Sequence, residues 1–211
     1  MKELLRETPL LDYKSQNIQE IPSEFLEKEL SFPINSDIAE QINHNATIVN
    51  FATGEIVLRK VEKSSCVYLI LQGVVRGYYI DKQGNDITKC FSSEGEFFSS
   101  EGLRTGGESS FTIECIENCK CIKLPYALIH RAIGQDDKLK CLINQYYSNE
   151  VSKLETRART LILMSAEERY TCFCEQYPHL QSRIALKYIA SYIGIRAASL
   201  SRIRKKTKNS I

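Results

Sequence analysis

The chain has only three histidines, His44, His130 and His179, and no pattern that would gather them with carboxylates. Metal-dependent enzymes on β-rich scaffolds need such clusters, so that chemistry is not expected, and no metal site or catalytic residue is assigned. A Gly-rich phosphate loop, a nucleophile elbow and a Cys–His pairing are absent as well. No apolar run approaches the roughly 20 residues of a membrane span, since Val67–Leu71 is only strand-sized. Met1–Thr8 is followed by no apolar core segment, so no secretory leader is expected and the expected compartment is the cytoplasm. The eight cysteines, at 66, 90, 115, 119, 121, 141, 172 and 174, contain no CxxC pair. They read as reduced, buried small hydrophobes. Cys115, Cys119 and Cys121 come nearest to a ligand set, but 119 and 121 fall within a strand pattern.

Acidic residues also run out along the chain. Residues 1–136 carry 14 Lys/Arg against 20 Asp/Glu, whereas residues 137–211 carry 14 against 6. The last acid is Glu175, and beyond it stand Arg183, Lys187, Arg196, Arg202, Arg204, Lys205, Lys206 and Lys208. An acidic front with an unopposed basic tail suggests a polyanion partner at one end, against the plainer reading of a solvated basic tail.

Residues 1–45 read as a helical leader broken by Pro9, Pro22 and Pro33. From Thr47 to Leu124 short β-rich runs follow one another: Thr47–Phe51, Glu55–Lys60, Cys66–Leu71, Val74–Asp81, Asp86–Phe91, Phe111–Glu117 and Lys120–Leu124. Turn residues separate them, as at Thr53-Gly54, Gln72-Gly73, Gln83-Gly84-Asn85, Gly95 and Gly106-Gly107. Many short strands with closely spaced turns mean a sandwich or barrel. Pro125 then opens a short helix, Tyr126–Ile133. Asp137–Met164 reads as one long helix, because Leu139, Ile143, Tyr147, Val151, Leu154, Ala158 and Leu161 advance by fours and threes. At 1.5 Å per residue it runs about 40 Å, which invites a second copy as its partner, although packing along its own domain would use the same stripe. Ser165 with Glu168 forms a capping box for a helix Ala166–Gln176, which Tyr177-Pro178 ends.

The stretch Leu186–Lys206 carries the functional signal. Leu186, Ile189, Ala190 and Ile193 make one amphipathic set, Gly194 interrupts, and Leu200 and Ile203 give a second helix its apolar side. Ala190 and Gly194 suit two helices crossing closely over a tight turn, where glycine adopts positive φ cheaply. The opposite face would show Ala198, Ser199, Arg202, Lys205 and Lys206. Short residues near the helix start let it approach base edges, Arg202 can fork onto a guanine, and the lysines, with Lys187 and Arg196, can hold phosphates. This is a helix-turn-helix pattern, and double-stranded DNA is the expected partner.

These motifs together resemble the Crp/Fnr family of regulators over roughly residues 35–206. The likeness includes Phe51-x-x-Gly-Glu, Leu69-Ile-Leu-Gln-Gly-Val-Val-Arg76, Gly95-Glu-Phe-Phe98, Leu186-Lys-Tyr-Ile-Ala-Ser-Tyr-Ile-Gly-Ile195 and Ser199-Leu-Ser-Arg-Ile-Arg204. The resemblance implies an α+β chain: the leader at 1–45, a cyclic-nucleotide-binding-like β-roll (a double-stranded β-helix) at 46–136, a dimerisation helix at 137–164, and a helix-turn-helix domain at 165–211. It implies a homodimeric transcription regulator working with RNA polymerase, and an effector pocket holding Glu96, Phe97, Ser99, Ser100, Glu101, Ser109 and Ser110.

The departures from the family are informative. Members that bind cyclic AMP carry a glutamate for the ribose hydroxyl and an arginine for the cyclic phosphate. Here Ser100 stands at the glutamate position with Glu101 one step late, and Glu108-Ser-Ser-Phe-Thr112 offers no arginine. A desolvated phosphate needs a fixed donor fork, so cyclic AMP is not the expected effector; Arg104 or Arg76 would be its replacement anion partner. The iron–sulfur members place cysteines before the roll, and residues 1–45 have none; haem ligation by His44 or His130 has no supporting motif. Ala197 and Ala198 replace an arginine and a glutamate of the best-known reading helices, so a different DNA target is expected. Arg196 replaces the usual N-cap, and the few residues after Lys208 leave no room for a full wing. Two further readings remain open: a regulator needing no effector, and a ligand-binding roll that does not bind DNA.

Overall fold

The computed structural model describes residues 21–208; the first part of the expected leader and the last three residues lie outside the described residues. Two helices, α1 (Pro22–Leu30) and α2 (Ser36–Asn45), precede eight strands. These are β1 (Thr47–Phe51), β2 (Ile56–Leu58), β3 (Cys66–Gln72), β4 (Val75–Ile80), β5 (Asp86–Ser92), β6 (Phe97–Phe98), β7 (Thr112–Cys115) and β8 (Cys119–Pro125), with a one-turn helix α3 (Gly102–Thr105) after β6. The helices α4 (Tyr126–Gln135), α5 (Asp137–Leu163), α6 (Ala166–Gln176), α7 (Leu186–Tyr192) and α8 (Ala197–Lys208) complete the chain. The short β6 and α3 are too brief to leave a periodic pattern in the sequence.

All strand pairs are antiparallel, in two four-stranded sheets of order β1-β8-β3-β6 and β2-β7-β4-β5. The alternation of side chains along a strand explains how one roll has three cores. On β3 and β8, Ile70, Cys119 and Cys121 point between the sheets, where they meet Val75, Phe98, Phe111 and Ile113. Their neighbours Leu69, Leu71, Ile122 and Leu124 face outward and pack under Leu26, Ile38, Ile42, Leu128 and Leu139 of the surrounding helices. These strands are therefore apolar on both faces, which is why they read as continuous hydrophobic runs. The third core lies on the far side of the roll, where Val74 and Phe91 receive the C-terminal helices.

Asp136 caps α5 by accepting hydrogen bonds from Lys138 N and Leu139 N. The apolar contact of the helix with the roll is confined to its first turns: Leu139 is buried and Ile143 half-buried, but Val151, Leu154 and Leu161 are exposed. The expected capping box is present at α6, with Ser165 N donating to Glu168 and Glu168 N donating to Ser165. No described helix is long and apolar enough to cross a membrane.

Candidate nucleic-acid interface and sensor cleft

The α7–α8 hairpin is built around Phe173, Leu180, Ile184, Ile189, Ala190, Ile193, Leu200 and Ile203, all buried, with Leu186 and Ile195 packed at the edge. Gly194 turns the chain between the helices at φ 72°, donating its N–H to Ser191 O while Ile195 N reaches Ala190 O. A β-carbon at 194 would be strained by that φ and would also lie 3.2 Å from Leu161 on α5. Burying Leu200 and Ile203 leaves Arg196, Ala197, Ala198, Arg202 and Lys205 exposed, with Ser199 half-buried at the margin. Lys187 is exposed at the start of α7, its ammonium 4.6 Å from the Tyr188 ring centre. Lys206 is also exposed, 3.1 Å from Glu167; a phosphate would have to compete with that carboxylate.

The hairpin is docked on the β4–β5 side of the roll through contacts that the sequence did not announce. Arg76, assigned above as a possible anion partner in the pocket, points the other way. It is 1% exposed and donates to Glu114, Thr88 and Asp86 at 2.9, 3.2 and 2.7 Å. Its guanidinium lies between the rings of Tyr78 and Tyr188. Thr88 N donates to the Ser191 hydroxyl, which donates to Asp86 O. Arg157 of α5 donates to Lys89 O, Thr88 O and Tyr192 O, joining long helix, roll and hairpin. Arg183 forks onto both oxygens of Glu94 and onto Glu117.

That last group has a pH signature. Burial raises the pKa of Glu94, but the bonds from Arg183 and Gly73 outweigh it, so the carboxyl sits below its ordinary value of 4.5. Its stabilisation of the docked hairpin is complete above pH 4.5 and is lost as pH falls through the lower, folded value. Stability of the native chain is therefore expected to drop on acidification below 4.5, and Glu94→Gln should flatten part of that slope in urea melts taken across pH. An unchanged slope in the variant would remove Glu94 as a contributor.

On the inner side of the hairpin lies a cleft of about 300 Å³ between roll, α3, α5 and the start of the C-terminal domain. Of the expected pocket residues, Glu96, Phe97, Ser99, Ser100 and Glu101 line it. Ser109 and Ser110 do not. Ser109 is buried with its hydroxyl donating to Phe111 O, and its backbone is paired with Val61 and Glu62; Ser110 is exposed, its N–H directed to Glu101. Arg104 lines the cleft, with its guanidinium 4.9 Å from the Tyr147 ring centre. Missed altogether were Lys89 and the α5 residues Tyr146, Glu150, Lys153 and Arg157. The α5 residues recur at four- and three-residue steps, a second stripe beside the apolar one that could have been read from the sequence. Lys153 pairs with Glu150 at 2.8 Å and with Glu96 at 3.5 Å. Burial pushes the Tyr146 hydroxyl above its usual range, and it donates to Phe97 O. His44 and His130 are exposed, His179 bonds Ser93, and no metal-competent group of His, Cys, Asp and Glu occurs among the described residues.

Comparison with known proteins places this geometry. Residues 48–136 match the family model of the cyclic nucleotide-binding domain. The nitrogen fixation regulation protein FixK of Bradyrhizobium diazoefficiens is 27% identical over 142 residues, which span 65% of this chain and 57% of that protein. The structure of FixK2 from Bradyrhizobium japonicum superposes with a TM-score of 0.69 at 20% identity, over 78% of this chain and 85% of that one. The c-di-GMP-responsive regulator CLP of Xanthomonas campestris superposes with a TM-score of 0.67 at 14% identity, over 83% and 93%. Residues 48–136 therefore match a cyclic nucleotide-binding domain, and the likeness to solved structures extends the shared fold over most of the chain.

Proposed function

We propose that the chain is a homodimeric, sequence-specific DNA-binding transcription regulator of the cytoplasm. Its reading surface is α8, and its cleft receives an effector other than cyclic AMP. The observation that carries this reading is the division of α8. Leu200 and Ile203 are buried, while Ala197, Ala198, Arg202 and Lys205 stand together on an exposed face with no acidic residue among them. A helix with small residues at its start and a cation one turn on fits the major groove. The relatives named above are regulators, which supports the same conclusion, and bound to promoter DNA such a dimer would work beside RNA polymerase. Against cyclic AMP stands the absence of any arginine from 108 to 112, together with the commitment of Arg76 to Glu114 and Asp86.

Selection of bound sites from a random duplex pool, with and without a nucleotide and metabolite panel, tests the reading and returns the target. Arg202 and the lysines should then separate. Arg202→Ala should cost about 1–3 kcal/mol on the selected site and relax base preference at one position per half-site. Lys187→Ala and Lys205→Ala should weaken all duplexes alike and reduce the salt slope by about one unit each. Lys206→Ala should do the same to a smaller extent, because Glu167 already holds its ammonium. Equal weakening of selected and scrambled duplexes by Arg202→Ala, with altered base preference from Lys205→Ala, would mean that α8 is turned differently in the groove.

A further inference from the structure

Three arginines join the roll to the C-terminal helices, and they are not alike. Arg76 pairs with Glu114 and Asp86, and Arg183 with Glu94 and Glu117. Arg157 forms no ion pair among the described residues. Its guanidinium donates only to neutral carbonyls, Lys89 O, Thr88 O and Tyr192 O, and lies 4.3 Å from the Tyr192 ring centre. Its Nε is buried without a partner. Of the three arginines, it alone lines the cleft. The charges around it do not supply the missing counter-ion. Four cations line the cleft, Lys89, Arg104, Lys153 and Arg157, against three acids, Glu96, Glu101 and Glu150. Glu96 and Glu150 both hold Lys153. Glu101 lies in the field of Lys89, and its Oε1 accepts the N–H of Ser110, which does not line the cleft, at 2.8 Å. Gly102 permits that turn of the chain, since a β-carbon there would lie 2.6 Å from Gly107 O. Much of the remaining wall is aromatic, with Phe97, Phe111, Tyr146, Tyr177 and Tyr192.

We propose that the effector itself is the counter-ion of Arg157: a small organic monoanion, a carboxylate on an apolar body, that enters the cleft and draws the guanidinium off the Tyr192 carbonyl, loosening the hairpin from the roll. Hydrogen bonds from a guanidinium to a carboxylate are about twice as strong as those to a neutral carbonyl, and the two forks match in geometry. One negative charge brings the four cations and three acids of the cleft into balance. A neutral ligand would leave Arg157 uncompensated in a partly desolvated site. The apolar body has the aromatic wall to rest on. The consequence for the hairpin follows from what Arg157 holds. Thr88 O and Lys89 O belong to β5, and Tyr192 O ends α7, so withdrawal of one side chain unties both. Tyr177 and Tyr192 themselves line the cleft, so the ligand would touch the part of the chain that it releases.

The inference rests on reading the cleft as the effector site, and calorimetry on the full chain tests it. Two acids are compared with their neutral counterparts, benzoate with benzamide and hexanoate with hexanamide, on the native protein, Arg157→Gln and Arg157→Lys. At least one acid should bind the native protein roughly tenfold or more tighter than its amide. Arg157→Gln should abolish that preference while amide affinity changes by less than about threefold, and Arg157→Lys, which keeps the charge but not the fork, should fall between. Limited proteolysis near residues 177–185 reads the hairpin: the favoured acid should speed cleavage of the native protein by about threefold or more and leave Arg157→Gln, already loosened, unchanged. If Arg157→Gln fails to fold by circular dichroism, the comparison of native protein with Arg157→Lys decides. Native protein that does not prefer either acid to its amide would overturn the proposal. So would a folded Arg157→Gln that keeps the preference, which is the outcome of a purely structural tie, or bound acid that leaves cleavage unchanged or slows it. Duplex binding is scored separately. Acids that bind as expected without altering duplex affinity would sink the effector reading and leave the anion site standing, whereas a duplex response to another metabolite, with neither acid bound, would do the reverse.

Discussion

Leu154→Asp is expected to convert the chain from dimer to monomer and to lower affinity for its two-half-site DNA target by roughly 10²–10⁴-fold. The reason lies in α5. Its first turns bury Leu139 against the roll, but Val151, Leu154 and Leu161 remain 54%, 52% and 38% exposed. An apolar stripe over about three helical turns, on the side of α5 away from the Lys153 and Arg157 contacts with the roll, is costly to leave in water, and each fully covered side chain would return about 1.5–3 kcal/mol. In the proposed dimer, a second copy of the same helix would supply the complementary surface at the a/d spacing of a two-stranded coil. An aspartate at the centre of that seam would have to be buried opposite its own copy, unpaired. Light scattering together with DNA titration checks the result, and a variant that remains dimeric would exclude this seam. Arg157 lies on the same helix but is turned inward to the roll, so Leu154→Asp should leave the folded protomer intact.

Arg76→Ala is expected to destabilise the protein by about 3–5 kcal/mol, the cost typical of breaking a buried ion pair on one side. Glu114, only 15% exposed, would lose its cation, and Asp86, at 44%, would lose less because water can reach it. The rings of Tyr78 and Tyr188 would also face a void where the guanidinium now lies. Because Tyr188 belongs to α7, the loss should appear as undocking of the hairpin as well as in global stability. Urea denaturation measures the second, and limited proteolysis near residues 177–185 the first. Adding Glu114→Gln to Arg76→Ala should recover part of the loss, since the uncompensated charge is then removed. A single-variant effect below about 1 kcal/mol would show that solvent repairs the site and that this arginine is not what holds hairpin and roll together.

Much of the architecture was legible along the chain because its signals are local. Strand limits followed from glycine- and asparagine-rich turns. The extent of α5 followed from its four-and-three spacing. The break at Gly194 and the buried pair Leu200 and Ile203 follow from helix periodicity alone, which is why the exposed face of α8 could be named residue by residue. The same local rules were silent on β6 and α3, which are shorter than the periods they would have to display.

What only the tertiary structure decided is which way the charged side chains of the roll point and what they meet. Arg76 and Glu101 are both charged residues beside motifs of the same domain, and nothing in their neighbours in sequence tells them apart. The alternation of β4 sends Arg76 to the outer face, where α7, more than a hundred residues later, brings Tyr188 and Ser191 against it. The close approach at Gly102 sends the Glu101 carboxylate to Ser110. Both outcomes depend on contacts between segments far apart in the chain, and the energy of a buried charge is set by those contacts rather than by the residue that bears it.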